Sequence, residues 1–220
     1  GDAAGVCKMT QGDNIGQDVT MQESACMKYL TVTGDFNIYG NSIVGLNVWN
    51  EDTSALHSEN SPDILVGGVV RMTASSDGKL PTLNLLNRVG TISWSATKPA
   101  PGATNTFVKI GGLDGRGNLS NQSRTLDAST VKLIFTNKED CDFSGTFTEN
   151  RSSTIKTVTS VKMAGENGKK QIIRADSAFT GTVEVESGTL IMHSTTALGK
   201  LTMTGGGFGG IEGGVIVSGA

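Results

Sequence analysis

The stretch Phe179-Thr180-Gly181-Thr182-Val183-Glu184-Val185-Glu186-Ser187-Gly188-Thr189-Leu190-Ile191-Met192 alternates polar and apolar residues, turns at Ser187-Gly188 and alternates again. After Ala197-Leu198-Gly199 a third run follows, Leu201-Thr202-Met203. Three short strands joined by small-residue corners within about 25 residues make the pattern of one coil of a β-solenoid. The alternation sends Val183, Val185, Leu190, Met192, Leu201 and Met203 inward and Glu184, Glu186 and Lys200 outward, with Ile191 left outside as an exception. Gly188 is expected to supply the left-handed backbone angle of a corner.

The rest of the chain keeps this character. Glycine is abundant at 30 residues and proline scarce at 4, which reads as many tight corners and not as disordered linker. Aromatic residues are only 5%, so the interior must be built from Val, Ile, Leu and Met, sizes that suit a narrow coil. A net charge of −3 gives no sign of the strongly basic face that nucleic-acid binding needs, and no nucleic-acid partner is expected. No apolar run approaches the 18 or so residues of a membrane-spanning helix. The start at Gly1-Asp2 is compatible with a removed leader and says nothing about compartment.

Period-two runs recur at Tyr29–Gly40, Ile43–Trp49, Ile64–Met72, Leu80–Leu86, Thr91–Trp94, Phe107–Ile110, Val131–Phe135, Thr154–Met163 and Gln171–Ile173. Only Ser24–Leu30 reads as a single helical turn. Turn clusters lie between the runs, and the polar stretch Glu51–Pro62 is expected to project from the scaffold as a loop. Lys98-Pro99-Ala100-Pro101-Gly102 is expected to form a rigid corner. Asp77-Gly78 and Asn167-Gly168 are the hairpin turns that a β-sandwich would use. The fold expected is all-β, a right-handed parallel β-helix over residues 1–220 as a single domain, with a β-sandwich as the alternative. Residues 1–30 are a candidate N-terminal cap, and residues 107–208 carry the clearest repeats. At 20–25 residues per coil, about 9–11 coils would make a rod of about 45 Å.

The candidate chemistry is sparse. Cys7 and Cys26 are near neighbours that a disulfide could join, leaving Cys141 free; three buried reduced thiols are the other reading. Glu184 and Glu186 share one strand face, as a catalytic carboxylate pair would, and equally as a solvated outer face would. Asp140 and Asp142 flank Cys141 and are weak candidates for a calcium site. His57 lies near Glu59 and Asp63, a carboxylate-paired base in principle and an exposed loop histidine otherwise, and His193 reads as a surface residue. Trp49, Trp94, Tyr29 and Tyr39 would stack on sugars if exposed together, and otherwise fill the core. Gly205–Gly210 and Gly165–Lys170 lack the hydroxyl and the helix of a phosphate loop and read as corners. Asn118, Asn121 and Asn150 stand in glycosylation sequons. Lys132, Lys156, Lys162 and Arg174 read as scattered, without the recurring charged column of a polysaccharide-degrading β-helix enzyme.

Residues Phe107–Phe208 resemble the autotransporter-associated β-strand repeat region of bacterial surface passenger proteins. Gly111–Leu119, Asp142-Phe143-Ser144-Gly145-Thr146-Phe147, Val161–Gly168 and Ala178–Leu190 follow the order of that repeat's glycine corners and strands. The resemblance implies a β-helix without cofactor or catalysis, exported to the extracellular or outer-membrane surface of a Gram-negative-type bacterium. The function expected is that of a secreted or surface scaffold or adhesin, whose partner is a host or envelope glycan or protein. A polysaccharide lyase or glycoside hydrolase and a glycan-binding module are the alternatives. Gly213–Ala220 reads as the start of another coil, so further coils or self-association are expected at that end.

Overall fold

The computed structural model describes residues 6–8, 14–15, 19–21, 24–27, 30–40, 42–46, 58–85, 105–121, 129–149, 157–174, 178–193, 197–211 and 217–218. The first coil holds β1 (Val6–Lys8), β2 (Asn14–Ile15) and β3 (Val19–Met21), and the second β4 (Ser24–Met27), β5 (Leu30–Val32) and β6 (Phe36–Tyr39). The third holds β7 (Ile43–Leu46), β8 (Ile64–Val66) and β9 (Val70–Thr73), and the fourth β10 (Thr82–Asn84), β11 (Asn105–Ile110) and β12 (Leu113–Gly115). The fifth holds β13 (Asn118–Asn121), β14 (Ser129–Phe135) and β15 (Cys141–Phe143), and the sixth β16 (Thr146–Glu149), β17 (Thr157–Ala164) and β18 (Lys170–Ile173). The last two coils contribute β19 (Ala178–Ser187) with β20 (Thr189–His193), then β21 (Ala197–Met203) with β22 (Gly207–Ile211), before β23 (Val217–Ser218).

Strands in the same position of successive coils pair in parallel, which makes a β-solenoid and rejects the sandwich alternative. Sheet A runs β1-β4-β7-β10-β13-β16, sheet B runs β2-β5-β8-β11-β14-β17-β19-β21, and sheet C runs from β3 to β22 with β23 beyond it. Asp77-Gly78 and Asn167-Gly168 accordingly join strands of different sheets and are corners, not hairpins; Gly78 and Gly168 have φ +81° and +77°. Ser24–Met27 is strand and not helix, because pairing with Val44, Gly45 and Leu46 outweighs the weak preference of a segment too short to nucleate a helix.

Among the described residues eight rungs in sheet B, at about 4.8 Å each, make a ladder of about 34 Å, where the sequence suggests about 45 Å. Uneven coil length is the reason. Ile64 pairs with Val108, 44 residues on, whereas Val183 pairs with Leu201, 18 residues on. The short coils lose a strand: sheet A stops at β16 among the described residues.

One aliphatic core fills the coil from Val32 to Met192, with Phe36, Phe135, Phe143 and Phe147 as its buried rings. Val183, Val185, Leu190 and Met192 are buried as the alternation requires, while Leu201 and Met203 are half-buried. Leu201 and Met203 sit on the last rung of sheet B, where one neighbouring coil covers them instead of two. Gly188 has φ +74°, and a β-carbon there would lie 2.7 Å from the end of Met163. Of the Gly213–Ala220 segment, expected to start another parallel coil, only Val217–Ser218 is described. Val217–Ser218 instead runs antiparallel to β22 and pairs the outer edge of sheet C. Among the described residues no helix is long and apolar enough to cross a membrane.

Candidate functional site

The outer face of sheet B carries a network of lysines and glutamates. Outward positions of consecutive rungs form a column by register: Leu65, Lys109, Ile134, Lys162, Glu184 and Thr202. Lys132 lies two residues from Ile134 on β14 and faces the same way. Lys162 reaches Glu186 Oε1 at 2.8 Å, and Lys132 reaches Glu184 Oε2 at 3.0 Å. Glu59 arrives from the segment before β8 and joins them: its Oε2 accepts from Lys162 at 2.7 Å, and its Oε1 accepts from Lys132. Lys132 and Lys162, which a linear reading scatters, therefore meet diagonally on neighbouring rungs around one carboxylate. Lys156 and His57 lie outside the described residues.

Two consequences follow for the loop Glu51–Pro62. Its described end, Ser58–Pro62, is tied to the sheet through Glu59 and does not project. Ile134 faces outward yet is only 2% exposed and stands outside the interior cluster, so this face is covered. Lys162, at 12% side-chain exposure, is covered with it. Asp63 is turned to structure: its carboxylate accepts the Phe107 amide at 2.8 Å.

The protonation states are fixed by these contacts. Hydrogen bonds from Lys132 and then Lys162 hold the Glu59 carboxyl below its usual 4.5. Burial pulls both lysines down, but hydrogen bonds to Glu59 and Glu184 raise Lys132 overall, and those to Glu186 and Glu59 raise Lys162. A lysine serving as a general base needs the opposite shift.

Sheet C carries a second network. Arg71 binds Asp35 at 3.2 Å, Asp114 at 3.1 Å and Glu139, so one guanidinium joins side chains from the second to the fifth coil. Arg174 holds Asp142 through both carboxylate oxygens, at 2.6 and 2.9 Å from its Nε. The Asp140 and Asp142 carboxylates do not converge: Asp140 accepts the Lys170 amide at 3.0 Å and Asp142 is held by Arg174. Among the described residues no three His, Cys, Asp or Glu side chains are grouped to hold a metal.

Cys141 is free and buried, and burial followed by the charges of Asp114 and Glu139 pushes its thiol up to about 12. Behind it runs a polar seam that sequence reading missed. Gln171 is fully buried; its Oε1 accepts the Leu113 amide at 2.9 Å and its Nε2 donates to the Leu113 carbonyl at 2.8 Å. Asn137 Nδ2 donates to Gln171 Oε1 at 3.2 Å. In β17 the inward Thr157 and Thr159 bind the carbonyl and the side-chain amide of Asn121 at 2.6 and 2.5 Å. Only their inward place in a strand signals these residues, because threonine fits either face.

The remaining candidates disperse. Cys7 is paired by register with Ala25 and Cys26 with Lys8, one residue out of step on neighbouring strands; their side chains lie outside the described residues. Tyr39 is exposed, while Trp49, Trp94, Tyr29, Asn150 and the Lys98–Gly102 corner lie outside the described residues, as does the His193 side chain. Asn118 stands within a central strand of sheet A and binds Thr82 and Thr146, and Asn121 is fully buried, so neither presents a glycosylation site. Comparisons with protein-family models, with curated proteins and with solved structures give no match.

Proposed function

We propose that the chain is a non-catalytic structural scaffold or adhesin, secreted or displayed at a bacterial cell surface, as its resemblance to autotransporter passenger repeats implies. Three of the four motifs that carry the resemblance run from a strand through a corner into the next strand, Gly111–Leu119 from β12 into β13, Asp142–Phe147 from β15 into β16 and Ala178–Leu190 from β19 into β20, while Val161–Gly168 covers the end of β17 and the corner after it. The observation that supports the reading best is the state of the clustered charges. Lys132, Lys162, Arg71 and Arg174 are each bonded to carboxylates, and none is shifted toward the neutral form that proton abstraction uses.

The alternative of a polysaccharide-degrading β-helix enzyme gains one specific support, since a mixed charged column does exist on sheet B. One experiment separates the two. The protein is incubated with neutral and acidic polysaccharides, and reducing ends and the ultraviolet absorbance of unsaturated sugars are followed. The scaffold reading expects retention on an immobilised glycan or envelope fraction without products; catalytic product formation that Lys132→Gln or Lys162→Gln abolishes overturns it. Protease sensitivity of the chain on intact producing cells tests the surface location.

A further inference from the structure

The contact between Glu59 and the two lysines differs in origin from its neighbours. Glu184 and Glu186 are delivered to Lys132 and Lys162 by the ladder β14-β17-β19, so strand register fixes them. Glu59 is delivered by an insertion 73 residues from Lys132 and 103 from Lys162, and no strand holds it. It offers one carboxylate oxygen to each ammonium group. On the same outer face stand two apolar residues, Ile134, two residues from Lys132, and Phe107, in register with Lys132 on the neighbouring rung.

We propose that Lys132 and Lys162 form a carboxylate-binding subsite for an acidic polysaccharide, filled in cis by the carboxylate of Glu59. The inference rests on the adhesin reading above and names its ligand class. When Glu59 swings away, Glu184 and Glu186 still hold the lysines in place, so the fork persists without its present occupant. Each ammonium group then keeps one carboxylate partner and has donors free for another, and an incoming carboxylate takes the bridging place that Glu59 holds now. A uronic acid ring brings one carboxylate beside an apolar C–H face, which matches two ammonium groups on one face with Ile134 and Phe107. An acidic peptide brings the carboxylate without that face. The tethered Glu59 competes at an effective concentration on the order of millimolar, so a single free carboxylate displaces it poorly and a multivalent chain displaces it better.

The test uses Glu59→Gln, which keeps the size of the occupant and removes its charge. Calorimetric titration with a defined oligogalacturonate at low salt should show Glu59→Gln binding at least tenfold more tightly than wild type. Adding Lys132→Gln to that variant should remove the gain, and the methyl-esterified oligomer should not bind. Lysine Cε and Nζ resonances of the Glu59→Gln protein should shift at Lys132 and Lys162 on addition of the oligomer, which locates the site even if the double variant fails to fold. Equal binding by wild type and a folded Glu59→Gln protein, or unmoved lysine resonances, overturns the subsite. Equal affinity for an oligoglutamate overturns the polysaccharide assignment. Failure of the subsite leaves the scaffold reading in place, because that reading falls on product formation and not on this titration.

Discussion

Lys132 on β14 and Glu184 on β19 lie two rungs apart, yet Nζ and Oε2 are 3.0 Å from each other. The lysine stem crosses the intervening strand β17 along the outer face, where the directly registered residue is the small Ser160. Lys162, on that same intervening strand, turns to Glu186 and Glu59. Two lysines and three carboxylates thus bind four coils of the rod together on one flank.

This network sets a pH window. The Glu59 carboxyl is lowered on folding, so its contribution is present above about pH 4.5, the unfolded value, and is lost as pH falls through the lower folded value. The lysines are raised, so theirs is complete below about pH 10.5 and is lost as pH climbs through the higher folded values. Melting temperature against pH should show a plateau between these limits, and Glu59→Gln should flatten its acid edge. An unchanged acid edge in that variant would remove Glu59 from the account.

The inward face is a dry interior, and Val185 is 1% exposed within it. Val185→Asp brings an unpaired carboxylate into that interior and should cost several kcal/mol, about 4 or more. Leu133→Ala, on the same inner face of sheet B, should cost about 2–5 kcal/mol through the cavity it leaves. Chemical denaturation of both variants checks this, and wild-type stability in Val185→Asp would mean the strand faces the other way.

Two glycines with similar backbone angles should respond differently to alanine. Gly78, at φ +81°, has nothing within 4 Å of the added carbon, so Gly78→Ala should cost only the conformational penalty of about 1 kcal/mol. Gly188, at φ +74°, places that carbon 3.1 Å from the Lys169 carbonyl and 2.7 Å from Met163. Gly188→Ala should therefore be the more destabilising, and equal melting temperatures would contradict the packing of that corner.

Cys141 should be inert in the native protein. Its thiol titrates at about 12 and is buried, so thiol reagents near pH 8 should modify it only after denaturation. Mass spectrometry after labelling reads this at the single residue. Native-state labelling at Cys141 would show that the seam around Asn137 and Gln171 opens.

Much of the fold is legible in the residues themselves. The alternation at Thr182–Glu186 fixes which side chains enter the core, because a strand has period two and an aliphatic interior accepts only one face. Gly188 marks its own corner, because only glycine takes that angle without strain. The tertiary structure alone decided how the coils stack. Coil length varies from the long step between Ile64 and Val108 to the short one between Val183 and Leu201, and a ladder shift between Met163 and Ala164 breaks any fixed repeat. Local sequence carries no record of that register, so Lys132 and Lys162 read as scattered until the strands are laid side by side. Glu59 lies in a non-repeating insertion whose composition signals only a polar loop, and its place on the outer face of sheet B is set by the hydrogen bonds it accepts from Lys132 and Lys162.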